Sequence, residues 1–149
     1  MTTVLDTIPE FEGSAEAARQ KLNNFTLEAM IEMFAADLER SDRRFLVVRY
    51  EGELIAHSIL SVREAGSQKA WGYFFTRYVL PEHRRRGVGG LLLDAGIEWF
   101  QAAGCRYAEA HTHITNEGLL CLFASRGFQV VERIQRPWPH VRLRLELSL

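Results

Sequence analysis

The run Arg84-Arg85-Arg86-Gly87-Val88-Gly89-Gly90 constrains the fold of this chain more than any other stretch. It follows an apolar segment that closes at Leu80-Pro81 and precedes a long apolar pattern that starts near Val88. That order spells a strand, a glycine turn and a helix N-terminus. Glycines open backbone conformations closed to other residues and let a ligand approach the main chain, while the N–H groups of the first helical turn have no intrahelical acceptor. The helix dipole favours an anion at that end, and three arginines add charge and fork-shaped donors. Such a turn binds phosphate.

Spacing separates three glycine-rich phosphate binders. A Walker A loop ends in Gly-Lys-Ser/Thr, but Leu91-Leu92 follows the last glycine here, so neither the lysine nor the magnesium-binding hydroxyl is present. A dinucleotide fingerprint needs a third glycine where Leu92 stands and a turn tight against its strand, and Pro81-Glu82-His83 intervenes. Glu109, at about the distance of a ribose-binding acid, is its remaining support. The pattern Arg/Gln-x-x-Gly-x-Gly/Ala is met at every fixed position by Arg84 to Gly89.

With those residues the chain resembles the GNAT family of acetyl-coenzyme A-dependent N-acetyltransferases. Val79-Leu80-Pro81-Glu82-His83-Arg84 is similar to the end of that family's fourth strand and the lead into its pyrophosphate loop. A second block, Asn116-Glu117-Gly118-Leu119-Leu120-Cys121-Leu122-Phe123-Ala124-Ser125-Arg126-Gly127-Phe128, resembles the family's later helix. The resemblance is carried by residues 79–128 and extends over 45–149. It implies an α/β fold, a mixed β-sheet flanked by about four helices. The family opens with a strand, and only Thr2 to Leu5 can supply it, so the first strand is expected to be short or absent.

The same resemblance implies acetyl-CoA as cosubstrate, contacted by Tyr78 and Val79 at the strand end, by Arg84, Arg85, Arg86, Gly87, Val88, Gly89 and Gly90 in the loop, and by Asn116 and Phe123 on the later helix. It implies direct attack of an amine on the thioester, with backbone N–H groups around Val79 serving the acetyl carbonyl or the pantetheine arm where the fourth and fifth strands splay apart. Phe123 departs from the pattern. The family commonly has a tyrosine there that protonates the departing thiolate, and phenylalanine cannot, although a thiol pKa near 8.5 makes the leaving group tolerable unaided. Asn116 reads equally well as a helix N-cap.

A chain of 149 residues fits a single domain over 1–149, with hydrophobic content of 47% and charged content of 25% typical of a soluble globular protein. No apolar run approaches the roughly 20 residues of a membrane span, and the start lacks the basic and apolar parts of a secretory signal, so a cytoplasmic protein is expected. A net charge of −1 gives no global field toward nucleic acid or anionic lipid. The arginine run is read as serving a small ligand and not a nucleic-acid backbone. Cys105 and Cys121 are too few for a disulfide framework or a cysteine zinc site, and read as two small buried residues.

Helices are expected from Ser14 to about Lys21 and from Thr26 to near Ser41, the second on the helical spacing of Leu27, Met30, Ile31, Phe34 and Leu38. Phe45 to Tyr50, Glu51-Gly52 and Leu54 to Val62 read as a hairpin, 65–69 as a loop, and Ala70 to Val79 as a strand with Trp71, Tyr73 and Phe75 on one face. That aromatic face is either core or the wall of an acceptor groove. From Gly89 to Ala103 the polar stripe is narrow, so this helix should be packed over most of its circumference. Gly104 and Gly127 end the two later helices, and strands follow near Arg106 to Ile114, Phe128 to Ile134 and Val141 to Leu147.

Acetyl transfer needs a neutral amine, and a lysine-like amine of pKa near 10.4 is neutral in only about one molecule in 2,000 at pH 7. Alternation on the strand from Arg106 puts Glu109, His111 and His113 on one face, a histidine base beside a carboxylate. A merely solvated polar face is the competing reading. A zinc site is disfavoured because one strand face rarely converges three ligands, and no metal is expected. The sequence therefore points to an N-acetyltransferase acting on an amine of a small molecule or a protein. A non-catalytic acyl-CoA-binding or regulatory domain is the alternative, and a homodimer through the last strands and Trp138 is left open.

Overall fold

The computed structural model describes residues 2–4 and 42–147. The two helices expected at 14–21 and 26–41 lie outside these residues. The first strand is present and short: β1 (Thr2–Val4) pairs antiparallel with β2 (Arg43–Tyr50), with Thr3 opposite Val47. Glu51 and Gly52 then turn the chain with φ of 52° and 82°, the positive values that a two-residue hairpin turn needs to match strand twist. β3 (Glu53–Arg63) and β4 (Trp71–Val79) follow. A 3-10 turn at Pro81–His83 leads to α1 (Val88–Ala102), β5 (Tyr107–His113), α2 (Glu117–Ser125), β6 (Gln129–Ile134) and β7 (His140–Glu146).

The seven strands form one mixed sheet in the order β1-β2-β3-β4-β5-β7-β6. The last strand therefore enters between β5 and β6, antiparallel to both. Among the described residues, the parallel register of β4 with β5 covers three pairs, from Gly72 opposite Ala108 to Phe74 opposite Ala110.

The chain divides into two compact units, the first of 1–60 and 76–92, the second of 61–75 and 93–149. In the first, Phe45, Val47, Val48 and Leu60 are buried from the strands, with Val88 and Leu92 buried on α1. The second is built on phenylalanines. Phe74 meets Phe100, Phe123 and Phe128 edge-on at 5.1, 5.9 and 6.1 Å between ring centroids, spacings at which aromatic pairs attract beyond their buried area. Gly72 belongs to this packing, because an added Cβ would overlap the Phe100 ring.

Both helices end in the same hydrogen-bonded lock. After α1, Gly104 (φ 79°) donates to the Gln101 carbonyl and Cys105 to the Phe100 carbonyl; after α2, Gly127 (φ 90°) donates to Ala124 and Phe128 to Phe123. The left-handed glycine and the paired backbone bonds satisfy carbonyls that a helix end leaves open, and the Phe123 and Phe128 rings close the second lock at 4.8 Å. α1 is packed over most of its circumference as expected, with Leu91 joining Asp94, Glu98 and Gln101 on its exposed stripe. One sequence expectation is corrected here. Cys105 is buried but Cys121 is exposed, since it falls on the outer side of the short helix α2.

Candidate active site

The glycine turn lies in the first unit. Leu80 donates from its backbone to Ile55 at 2.8 Å, anchoring the end of β4, and His83 and Arg84 donate back to Leu80 and Pro81 through the 3-10 turn. The backbone then passes twice through the left-handed region, at Arg85 (φ 62°) and Gly87 (φ 82°). A Cβ on Gly87 would meet no protein atom within 4 Å, so backbone conformation and not space calls for glycine there. Arg85 adopts the same region without that freedom, a local cost of roughly 1 kcal/mol. Helix α1 begins where Leu91 donates to the Gly87 carbonyl at 3.0 Å, leaving the N–H groups of Val88, Gly89 and Gly90 in the unpaired first turn.

The three arginines are not equivalent. Arg84 donates from Nε to the Val79 carbonyl at 2.9 Å, and its Cζ stands 5.3 Å from the centre of the Tyr78 ring. All three are exposed, and Arg84 alone braces the loop to the strand. Tyr78 is buried and stacks against His57 of β3 at 5.9 Å with 20° between planes. Burial lowers the His57 pKa from 6.5 to about 3, so that ring is neutral at physiological pH. Sequence reasoning passed over His57; a histidine within an otherwise apolar run of β3 was the available signal.

The second unit holds the other predicted residues. Glu109 sits opposite Arg144, His111 opposite Arg142 and His113 opposite His140, so each pair shares a face of the β5–β7 ladder. The Glu109 carboxylate is buried, and its Oε2 accepts from Arg142 Nη1 at 2.7 Å and from Arg144 Nε at 2.7 Å. Arg142 also reaches Glu132 at 3.0 Å. Burial opposes its charge, but the bonds to Glu132 and Glu109 outweigh that and leave its pKa raised. Arg144 lies over the Tyr107 ring at 3.9 Å.

His111 is half-buried, 5.9 Å from Tyr73 and 5.3 Å from His140 between ring centres. Burial first, then the His140 ring, lowers its pKa below the ordinary histidine value. His113 is exposed, and its Nδ1 accepts from the Thr115 backbone at 3.1 Å. His140, which the sequence reading missed, donates from Nδ1 to the Trp138 carbonyl at 2.7 Å and stacks on the indole at 4.0 Å. Only strand pairing brings it opposite His113.

The aromatic residues of β4 share a face as expected, linked edge to edge from Trp71 through Tyr73 to Phe75 at 6.0 and 6.2 Å. They are not core: Phe75 is 55% exposed, and Trp71 and Tyr73 are half-buried. Asn116 caps α2, its Oδ1 accepting from Leu119 at 3.2 Å. Phe123 is fully buried among Phe74 and Phe128.

A model of the acetyltransferase (GNAT) family matches residues 11–128. The chain belongs to the GNAT family. Among characterised proteins it is 26% identical over 107 residues to aminoglycoside N(6')-acetyltransferase type 1 of Klebsiella aerogenes, covering 70% of each chain. Among solved structures it is similar to the NatC complex bound to Gag peptide and CoA, at 17% identity, a TM-score of 0.71, and coverage of 99% of this chain and 98% of that one. It is also similar to the ribosomal-protein-S18-alanine N-acetyltransferase of Escherichia coli, at 19% identity, a TM-score of 0.66, and coverage of 100% and 96%. This GNAT protein is an acyltransferase that moves the acetyl group of acetyl-CoA, its cosubstrate, to an amine. No helix among its described residues is long and apolar enough to cross a membrane.

Proposed function

We propose that the single acetyltransferase domain over residues 1–149 holds the acetyl-CoA pyrophosphate on the first turn of α1 and transfers the acetyl group by direct attack of a neutral amine. The observation that carries this reading is the loop itself: left-handed backbone at Arg85 and Gly87, unpaired N–H groups at Val88 to Gly90, and Arg84 tied to the Val79 carbonyl. Backbone donors and a helix dipole aimed at one point suit a pyrophosphate, and the exposed Arg85 and Arg86 add cationic forks in the same loop. Val79 serves the thioester through its main chain. Contacts from Asn116 and Phe123 rest on family resemblance alone, since the first side chain caps its helix and the second is in the core.

For the acceptor's proton, His111 is the preferred member of the triplet. Its ring is half-buried, neutral and set against Tyr73, while Glu109 is occupied by two arginines and serves to hold β5 and β7 in register. The half-exposed Trp71, Tyr73 and Phe75 face favours a hydrophobic or aromatic amine as acceptor. A cytoplasmic location and self-association through exposed Val130, Val131 and Trp138 complete the reading.

Thermal denaturation with acetyl-CoA tests the central claim. At 100 times its dissociation constant the ligand stabilises the fold by about 2.7 kcal/mol. Gly89→Asp, which sets a carboxylate where the phosphate belongs, removes that gain. A panel of amines with thiol-release detection then identifies the acceptor. Absence of any acetyl-CoA-dependent shift in the unmutated protein refutes the assignment of the loop.

A further inference from the structure

We propose that the acceptor of this enzyme is an arylalkylamine with a carboxylate at the far end of its ring, and that Arg63 binds this carboxylate. The inference deepens the proposed function and rests on its reading of His111 as the acceptor's base. Arg63, Tyr73 and His111 all belong to the second unit and lie on three neighbouring strands, β3, β4 and β5. The Tyr73 ring joins them. The Arg63 guanidinium carbon stands over it at 5.3 Å from its centre, and the His111 ring meets it edge-on at 5.9 Å. Arg63 is half-buried: its Nε is enclosed with no hydrogen-bond partner, while the side chain keeps part of its surface open. Among the described residues no carboxylate pairs with it. Attraction to a ring uses none of its N–H donors, so the fork is left for an anion that the protein does not supply.

The charge of this face selects an anion. Its buried carboxylate, Glu109, is already held by Arg142 and Arg144, and Glu132 is bonded to Arg142. Arg63 is the guanidinium left unbalanced among the described residues, so a polycationic amine would meet excess positive charge here and a carboxylate would neutralise it. One guanidinium matches a carboxylate in charge and in fork geometry, whereas a dianionic phosphate would leave a charge against the rings. Spacing then places the anion on the acceptor. Adjacent strands run about 4.8 Å apart, so Arg63 and His111 project from backbones roughly 10 Å apart with the Tyr73 ring between them. An aromatic ring with its aminoethyl arm and its carboxylate on opposite carbons spans such a gap while lying against Tyr73 and the 55% exposed Phe75. An α-amino acid does not, because its amine and carboxylate share a carbon.

Calorimetric titration tests this with three amines in the presence of CoA: para-aminoethylbenzoate; phenethylamine, which lacks the carboxylate; and phenylalanine, whose carboxylate sits beside the amine. The unmutated protein should bind para-aminoethylbenzoate about tenfold or more tighter than either of the others, the scale of one hydrogen bond to a charged group. Arg63→Met, which keeps an apolar stem against Tyr73, should abolish that margin and leave phenethylamine within about threefold. Arg63→Lys, which keeps the charge, should retain part of it. Equal affinities for the three amines in the unmutated protein, or no binding of any, overturn the proposal. So does a margin that persists in Arg63→Met, or a preference for phenylalanine. The comparison within the unmutated protein decides the matter even where a variant folds poorly. The reading of His111 fails separately: when His111→Gln acetylates para-aminoethylbenzoate as fast as the unmutated protein while Arg63 still governs its binding, the anion site stands and the base is another group.

Discussion

Arg84 donates from Nε to the carbonyl oxygen of Val79 at 2.9 Å, joining the glycine loop to the last residue of β4. A guanidinium used in this way acts through geometry more than through charge. Arg84→Ala should therefore weaken acetyl-CoA binding about 10- to 100-fold by freeing the loop, as loss of a bond to a charged group costs roughly 1.5–3 kcal/mol. Arg84→Lys should recover little, since an ammonium cannot reproduce the planar Nε donor. Calorimetric titration of both variants with acetyl-CoA checks this; full recovery by lysine would reassign Arg84 to simple charge.

Replacing Phe123 by tyrosine should destabilise the protein by about 1–3 kcal/mol, because the added hydroxyl enters a fully buried phenylalanine cluster. Urea denaturation measures it. Read from sequence, Phe123 is a ligand-facing position that tolerates tyrosine; the structure gives it a second duty, as the residue whose carbonyl and ring close the end of α2.

That case marks where sequence reading reaches and stops. The glycine turn, the Glu51-Gly52 hairpin and the shared face of Glu109, His111 and His113 were legible because each depends on neighbours within a few residues. The partners of Glu109 were not. Arg142 and Arg144 lie 33 and 35 residues away, and they reach it only because β7 enters the sheet between β5 and β6. The stack of His57 on Tyr78 was hidden for the same reason, as it depends on two strands meeting and not on any local pattern.

Stability should fall in mild acid through His57. Its folded-state pKa is depressed from 6.5 to about 3, so between these values the unfolded chain binds a proton that the folded chain refuses. The contribution is fully present above 6.5 and is lost as pH falls through that window, by about 2 kcal/mol between pH 7 and pH 5. His57→Phe keeps a ring against Tyr78 and removes the titration. Denaturation across that pH range should show a flatter profile in the variant; parallel profiles would assign the acid sensitivity elsewhere.

On an acceptor protonated at the assay pH, His111→Gln should lower kcat by ~100-fold or more, the usual range for a general base being about 10²–10⁴, and His113→Gln by less than about threefold. The lowered pKa of His111 moves the acid limb of the unmutated profile below the ordinary histidine range. Rate measurements from about pH 5 to 9 decide it. Equal effects of the two substitutions would remove His111 from the proton transfer.

Between the end of α1 and the start of β5 the chain spends only four residues, Ala103 to Arg106. The left-handed glycine at 104 turns the chain and Cys105 is buried behind it, and β5 then alternates from Tyr107, with Ala108 and Ala110 buried and Glu109 and His111 opposite Arg144 and Arg142. One residue added after Cys105 would turn Ala108 and Ala110 toward the arginines of β7 and drive Glu109 and His111 into the phenylalanine core. The length of this connection therefore decides which face of the sheet receives Glu109, His111 and His113, so one residue added or lost here changes more of that face than a substitution at any of the three.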